Sequence, residues 1–321
     1  MTAGPAAGTF QGVMRVFRHY QSIPADARGG VVAIGNFDGV HLGHRAVIGE
    51  AGRIAKAAGR PWGVLTFEPH PRRFFAPDTP PFRLTPFHAK ARLVFADGVN
   101  SIFVQRFDKG FSSLTAEAFI EKVLVAGIGA SHVVAGYDFV FGRGRGGNCQ
   151  MLLDFGGQLG FGFTAVSARK DGGTEIYSST RVRDCLTQGD PRGAAGVLGR
   201  PFEIEGRVTG GDQRGRQIGF PTANITLGTY LRPKRGVYAV RIERDNGPPL
   251  TGVANLGRRP TFGGEDDLLE VHIFDFAGDL YGKRLRAQLI EFLRPEKKFD
   301  GIDQIKAQIA RDCDQVRQIL G

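Results

Sequence analysis

The chain has 321 residues, 41% of them apolar, which allows two domains with sizeable cores at about 100–200 residues each. Its formal net charge of +10 suits anionic ligands, and because the basic residues are scattered, without a Lys/Arg block or groove-reading motif, phosphorylated small molecules are expected rather than nucleic acid. Three well-separated cysteines argue against a disulfide framework or structural zinc, and with no leader pattern and no apolar run near ~18 residues the expectation is a cytoplasmic protein without a membrane partner.

The first half alternates between two kinds of segment. Apolar runs at 31–34, 63–67, 101–104, 132–135 and 163–166 read as buried strands, and 45–58, 88–96 and 116–125 read as helices. That alternation predicts a parallel sheet covered by helices, with ligands beyond the C-terminal strand ends. The first of these strands runs into Gly35-Asn36-Phe37-Asp38-Gly39-Val40-His41-Leu42-Gly43-His44. Here a strand hands over to a helix start, where backbone N–H groups lack partners within the helix and favour an anion. His41 and His44 are three apart with Gly43 between them, so both imidazoles can approach one phosphate. A capped turn with one solvated histidine is the alternative for such a pair taken alone. The strand, the glycines and the helix together favour the phosphate.

Further along, Gly142-Arg143-Gly144-Arg145-Gly146-Gly147 reads as a mobile basic loop over an anionic substrate, ahead of an RNA-binding patch. Ser178-Ser179-Thr180-Arg181-Val182-Arg183 opens a helical pattern after Ile176-Tyr177. Its hydroxyls can cap the helix and donate to phosphate oxygens, and Arg183 falls one turn beyond Thr180. A capped helix with surface arginines explains this stretch equally well by pattern.

The character changes near residue 199. Runs rich in β-branched and aromatic residues at 202–208, 236–242, 250–254, 269–274 and 285–292 predict an antiparallel barrel or sandwich. Turn clusters separate them at Gly210-Gly211-Asp212, Asp245-Asn246-Gly247-Pro248 and Gly263-Gly264-Glu265. A stripe of Ile302, Ile305, Ile309, Cys313, Val316 and Leu320 predicts a closing helix that packs on the barrel, with Asp300 as its N-cap. In Gly219-Phe220-Pro221-Thr222-Ala223-Asn224, Thr222 and Asn224 lie two apart and face one way if extended, offering two hard oxygen ligands to Mg²⁺. A turn with a strand start is the other reading. Gly210, Gly211, Gly215 and Gly219 interleaved with Arg214 and Arg216 favour a phosphate cradle upstream. Leu269-Glu270-Val271-His272-Ile273 alternates, and by pattern its polar side is a solvated strand face.

The stretch from Gly35 to His44, with the later Ser-Ser-Thr-Arg-Val-Arg, resembles the nucleotidyltransferase superfamily. Thr66-Phe67-Glu68-Pro69-His70-Pro71, Arg83-Leu84-Thr85-Pro86 and Gly136-Tyr137-Asp138-Phe139-Val140-Phe141-Gly142 narrow the resemblance to the FMN adenylyltransferase module of prokaryotic bifunctional riboflavin kinase/FAD synthetases. The segment from Gly219 to Asn224, the strand around Glu270, Asn255-Leu256-Gly257-Arg258-Arg259-Pro260-Thr261-Phe262 and Asp279-Leu280-Tyr281-Gly282 resemble the riboflavin kinase module of the same family. The resemblance runs from about Val13 to Leu320. Tyr177 departs from it, since related transferases often carry a branched aliphatic there.

The resemblance implies an α/β plus β chain. A Rossmann-like nucleotidyltransferase domain with a parallel sheet would occupy 13–187 and a linker 188–199. An antiparallel β-barrel riboflavin kinase domain with a terminal helix would occupy 200–321. It implies phosphorylation of riboflavin by ATP to FMN, then adenylylation of FMN by a second ATP to FAD with release of pyrophosphate. Gly35, Asn36, Phe37, Asp38, His41, His44, Ser179, Thr180 and Arg183 would bind ATP for adenylyl transfer, His41 and His44 acting on the transferring group. Phe67, His70 and Asp138 would meet the flavin. Gly215, Gly219, Thr222 and Asn224 would bind ATP in the kinase, the last two through Mg²⁺, with Glu270 as general base. Riboflavin, FMN, FAD and ATP are the implied partners, without nucleic acid or membrane, and a homo-oligomer stays open. An adenylyltransferase for phosphopantetheine or nicotinamide mononucleotide would lack the second motif set. A catalytically lost flavin- or RNA-binding regulator would not need His41, His44, Thr222, Asn224 and Glu270 together.

Overall fold

The computed structural model describes residues 14–210, 219–244, 247–261 and 264–321. Two compact units emerge, one of residues up to Phe37 with 43–78 and 90–169, the other of 38–42, 79–89 and 170–321.

The first unit is built on six strands: β1 (Arg15–Phe17), β2 (Val31–Ile34), β3 (Trp62–Glu68), β4 (Ser101–Arg106), β5 (His132–Gly136) and β6 (Gly162–Val166). They form one sheet in the order β1-β4-β3-β2-β5-β6, and every pairing is parallel. All four residues of β2 are buried, as a continuous apolar run in a covered sheet requires. The helices are α1 (Leu42–Ala58), α2 (Pro71–Phe75), α3 (Phe87–Ala96), α4 (Lys109–Ser112), α5 (Ala116–Ala118) and α6 (Cys149–Leu159). Helix α1 buries Val47, Ile48, Ala51 and Ala55, a single stripe at helical spacing. After α5 the chain continues as a wider-wound π-helix, Phe119–Ile128, and stops at Gly129 with φ +63°. Three-residue β1 is too short for a run of apolar residues to reveal it, and the Gly156-Gly157 pair in α6 hides its helical period.

The order of strand addition reverses between β2 and β5, neighbours in the sheet but far apart in the chain. Ligands of open α/β sheets bind at such a switch point. The loops starting at Gly35 and Tyr137 leave the sheet there.

In the second unit, α7 (Ser179–Gln188) and α8 (Pro191–Leu198) precede β7 (Phe202–Thr209), β8 (Ala223–Thr226), β9 (Gly236–Arg244), β10 (Leu250–Thr261), β11 (Gly264–Ile273) and β12 (Arg284–Arg294). These strands close into a barrel ordered β10-β11-β8-β7-β12-β9, with antiparallel pairings, and α9 (Ile302–Leu320) follows. Ile204, Ile225, Val240, Ala254, Leu269 and Leu289 fill the core and are fully buried.

Three details differ from the sequence reading. Most of 188–199, expected as a linker, is α8. Asp190 caps it by accepting from Gly193 N at 2.8 Å, and Ala194, Val197 and Leu198 join the barrel core with Val182 and Leu186 of α7. The cap of α9 is Gly301, without a side-chain bond, not Asp300. Strand β8, four residues long, begins inside the stretch read as an extended ligand-bearing segment and runs beyond it to Thr226. The expected turn residues Gly211, Asp212, Asp245, Asn246 and Gly263, with Arg214, Gly215, Arg216 and Phe262, lie outside the described residues.

Buried Asp312 anchors α9, accepting from Arg294 Nη2 at 2.6 Å, Arg294 Nε at 3.0 Å and Gln308 Nε2 at 2.9 Å. Replacing Asp312 by Ala leaves that guanidinium without its carboxylate and is expected to cost about 3 kcal/mol, read from urea unfolding followed by circular dichroism.

Candidate active site

The loop after β2 begins in the first unit. Phe37 folds back over Gly35 so closely that a Cβ at Gly35 would lie 2.9 Å from the Phe37 ring. Its backbone has φ +46° and its side chain is buried. The same ring meets the His44 imidazole edge-on, centroids 5.4 Å apart, on the first turn of α1. Asn36 is held from behind: Thr66 Oγ1 donates to Asn36 O at 3.3 Å, and buried Lys90 donates to Thr66 Oγ1 at 3.1 Å and Glu68 Oε1 at 3.3 Å.

Asp38 to Leu42 belong to the second unit. Asp38 is 2% exposed, and its Oδ1 accepts from the backbone N–H groups of Leu84 at 2.9 Å and Thr85 at 3.0 Å. Arg183 Nη2 donates to Asp38 Oδ2 at 2.6 Å, and Arg183 Nε to Phe82 O at 3.0 Å. Gly39 N donates to Thr85 Oγ1, and Ser179 Oγ to Asp38 O, both at 2.8 Å. Ser178 caps α7 by accepting from Arg181 N at 3.2 Å, while Thr180 is exposed. His41 follows at the start of α1, 5% exposed. Burial holds its pKa down to about 4; Asp38 acts the other way, and the Arg183 and Arg200 charges reinforce the burial. His41 is therefore neutral at pH 7 and donates from a single ring N–H.

A cavity of about 320 Å³ opens at the C-terminal ends of the first unit's strands. Phe67, Phe75, Phe107, Phe111 and Phe139 give it aromatic walls, and Asn36 and Arg145 also line it. The width and aromatic lining suit a flat ring system. Of the residues expected to meet a flavin, Phe67 lines it. His70 instead caps α2, accepting from Arg72 N at 3.1 Å, and Asp138 is exposed in the turn after β5. The Arg-Gly loop is tied rather than open: Phe141 N donates to Gly147 O at 3.0 Å and Gly147 N to Phe141 O at 2.9 Å.

The second constellation lies on the barrel. Asn224 on β8 stands opposite Glu270 on β11 and opposite Thr209 on β7, and Glu270 stands opposite Asn255 on β10. Directly paired residues share a face, so four polar side chains form one row across four strands. Asn224 is 5% exposed, and its Oδ1 has no hydrogen-bond partner among the described residues. A buried carbonyl oxygen without a partner costs free energy and suits a hard cation. Asn224 and Thr222 line a cavity of about 460 Å³, with Val271, Ile273, Phe276 and Tyr281. His272 Nδ1 lies 2.9 Å from Pro221 O, which only accepts, so Nδ1 carries the proton and ties the Thr222 segment to β11. Gly219 has φ +91°, a turn that favours glycine.

A parallel sheet with a histidine-bearing loop at its switch point, followed by a closed barrel with a carboxylate-amide row, defines a transferase with two nucleotide-handling modules. Residues 23–181 match the family model described as FAD synthetase, and residues 198–320 the one described as riboflavin kinase. The bifunctional riboflavin kinase/FMN adenylyltransferase of Escherichia coli (strain K12) is 43% identical over 297 residues, 92% of this chain and 95% of that protein. The protein of the same name from Bacillus subtilis (strain 168) is 39% identical over 288 residues, 88% of this chain and 90% of that one. A crystal structure from Streptococcus pneumoniae, solved under the name macrolide-efflux protein, superimposes with a TM-score of 0.84 at 30% identity, covering 95% of this chain and 99% of that one. Among the described residues no helix is long and apolar enough to cross a membrane. The chain belongs to the bifunctional riboflavin kinase/FMN adenylyltransferase family.

Sequence reasoning missed the backbone donors of Leu84 and Thr85, the buried Lys90, the aromatic wall beyond Phe67, and Thr209. Arg83-Leu84-Thr85-Pro86 was visible as a motif, but pairing it with Asp38 requires contacts 46 and 47 residues apart in the chain. The His41 environment has a direct readout: titration of its ring resonances by NMR is expected to give a midpoint near 4, well below the ordinary value of about 6.5.

Proposed function

We propose that this chain makes FAD from riboflavin in two ATP-dependent steps, with adenylyl transfer carried by 13–187 and riboflavin phosphorylation by 200–321, joined through 188–199. The observation that carries the reading is that two family models match successive parts of one chain and relatives align across both.

In the kinase step Glu270 accepts the proton of the ribityl 5′-hydroxyl while that oxygen attacks the γ-phosphorus of ATP, and ADP leaves. Thr222 and Asn224 would hold Mg²⁺, and the orphaned Asn224 Oδ1 fits that use. Bound there, the ion would neutralise phosphate charge. No cluster of three or more His, Cys, Asp or Glu side chains able to hold a metal occurs among the described residues, so nucleotide oxygens and water would complete the shell. Gly215 and Gly219 belong to the loop proposed to cover the phosphates.

In the second step an FMN phosphate oxygen attacks the α-phosphorus of ATP in line, and pyrophosphate leaves. An ionised phosphate needs no strong base, so the protein's task is positioning and charge stabilisation. His41 and His44 donate to the transferring group. Gly35, Asn36, Phe37 and Asp38 shape the ATP loop, and Ser179, Thr180 and Arg183 hold the departing phosphates. The flavin ring occupies the aromatic cavity with Phe67 at its wall, and His70 and Asp138 are assigned to the flavin by resemblance alone. We assign the reactions to the cytoplasm, without nucleic-acid or membrane partners.

Purified protein with riboflavin, ATP and Mg²⁺ is expected to yield FMN and then FAD by chromatography; a protein that binds flavin but converts none is the result that sinks the reading. His41→Ala and His44→Ala should each lower FAD formation by about 10²–10³ and leave FMN formation nearly intact. Glu270→Gln keeps size and hydrogen bonding but accepts no proton at neutral pH, and should cost about 10²–10⁴ in riboflavin phosphorylation with Mg-ATP binding retained. Thr222→Ala should be partly restored by excess Mg²⁺, while Glu270→Gln should not.

A further inference from the structure

The backbone that leads into His41 is unusual. Val40 is β-branched yet has φ +44°, and it follows Gly39 at φ +97°. A β-branched residue in that region is a true outlier, and such backbone persists only where its surroundings over-determine it. Val40 is fully buried, so water does not satisfy this turn.

Three successive carbonyls before His41 are each taken by a side chain from the later part of the chain. Ser179 Oγ donates to Asp38 O at 2.8 Å. Arg200 Nη2 donates to Gly39 O at 2.7 Å, and Arg200 Nη1 to Val40 O at 3.2 Å. The same Nη1 reaches Leu198 O at 3.4 Å, so the guanidinium bridges the end of α8 to the turn. Gly199, at φ +72°, brings this corner so close that a Cβ there would lie 2.6 Å from Leu42 Cδ2. Arg200 and the segment 38–42 lie in one compact unit. Arg200 nevertheless falls within the stretch matched to riboflavin kinase, 198–320, and outside the one matched to FAD synthetase, 23–181.

We infer that Arg200 is a positioning residue for adenylyl transfer: its guanidinium clamps the Gly39 and Val40 carbonyls and so holds the strained turn that presents His41. The planar fork suits two neighbouring carbonyls, a geometry that an ammonium group does not reproduce. Part of the adenylyltransferase is thereby supplied by the stretch assigned to the kinase. Beside the dominant effect of burial, the Arg200 charge also disfavours protonation of His41. The inference rests on the proposed role of His41 in FAD formation.

The test uses the full-length chain as Arg200→Met, Arg200→Lys and His41→Ala, each assayed separately for FMN to FAD and for riboflavin to FMN, with melting temperatures. Arg200→Met is expected to lower kcat for FAD formation by about 10- to 100-fold, since a small misplacement of a working group costs that much. The KM for FMN and the kinase turnover should stay within about twofold, because the clamped turn is not the flavin cavity. Arg200→Lys, which keeps the charge without the fork, should retain more FAD formation than Arg200→Met but less than the unmodified chain. Unchanged FAD formation in both Arg200 variants overturns the inference. So does parallel loss of both activities with a lowered melting temperature, which would make Arg200 a general support of the fold. Should Arg200→Met fail to fold, Arg200→Lys carries the same decision through its kcat for FAD formation against its kinase turnover. Full FAD formation in His41→Ala overturns the reading of His41 and this inference with it. Loss in His41→Ala beside normal Arg200 variants overturns this inference and leaves that reading standing.

Discussion

The carboxylate of Asp38 is the interaction on which the histidine loop depends. It is 2% exposed and accepts two backbone N–H groups and the Arg183 guanidinium. Arg83 Nε adds a further charge at 3.5 Å. A carboxylate taken this far from water is tolerable only when its lone pairs are met by strong donors. Those donors come from two distant parts of the chain, 83–85 and 183. Satisfying one charge therefore gathers the Gly35–His44 loop, the Arg83-Leu84-Thr85 segment and the start of α7. Asp38 is the main tie among these motif residues, and the Gly39 N–Thr85 Oγ1 bond at 2.8 Å reinforces it.

The same arrangement explains why the compact units do not follow the division by family match, 23–181 and 198–320. Segments 38–42 and 79–89 lie in the chain among the first unit's strands but pack with the second unit. Leu84 joins the core formed by Val182, Leu186, Val197, Leu198 and the barrel residues. Leu231 N donates to Arg83 O at 2.7 Å, extending the barrel's hydrogen bonding to this segment. Apolar burial is non-directional and groups residues by contact, whatever their separation in the chain.

On the barrel the organising constraint is register. Antiparallel pairing sets Asn224 opposite Glu270, and a slip of one residue would turn each to the other side. The alternation of Leu269, Val271 and Ile273 with Glu270 and His272 pins that register, because the apolar three are buried. Core packing thus determines where the polar row stands.

Most element types, the parallel sheet, an antiparallel second half left open between barrel and sandwich, the closing helix and the motif positions are legible along the chain. Each is written in local periodicity: continuous apolar runs, alternation of two, stripes of three and four, and glycines at turns. Glu270 shows the limit: by pattern its polar side read as a solvated strand face, the family resemblance made it the general base, and its pairing with Asn224 on β8 appears only in the fold. β1 and β8 were too short to announce themselves, and α8 lay inside an apparent linker. Tertiary contacts alone reveal that Asp38 is bound by Leu84 and Thr85, that Lys90 stands behind Asn36, that seven phenylalanines line one cavity, and that Arg200 grips the turn before His41. These are contacts between residues tens to more than a hundred positions apart, and no periodicity along the chain encodes which distant donor meets a buried acceptor.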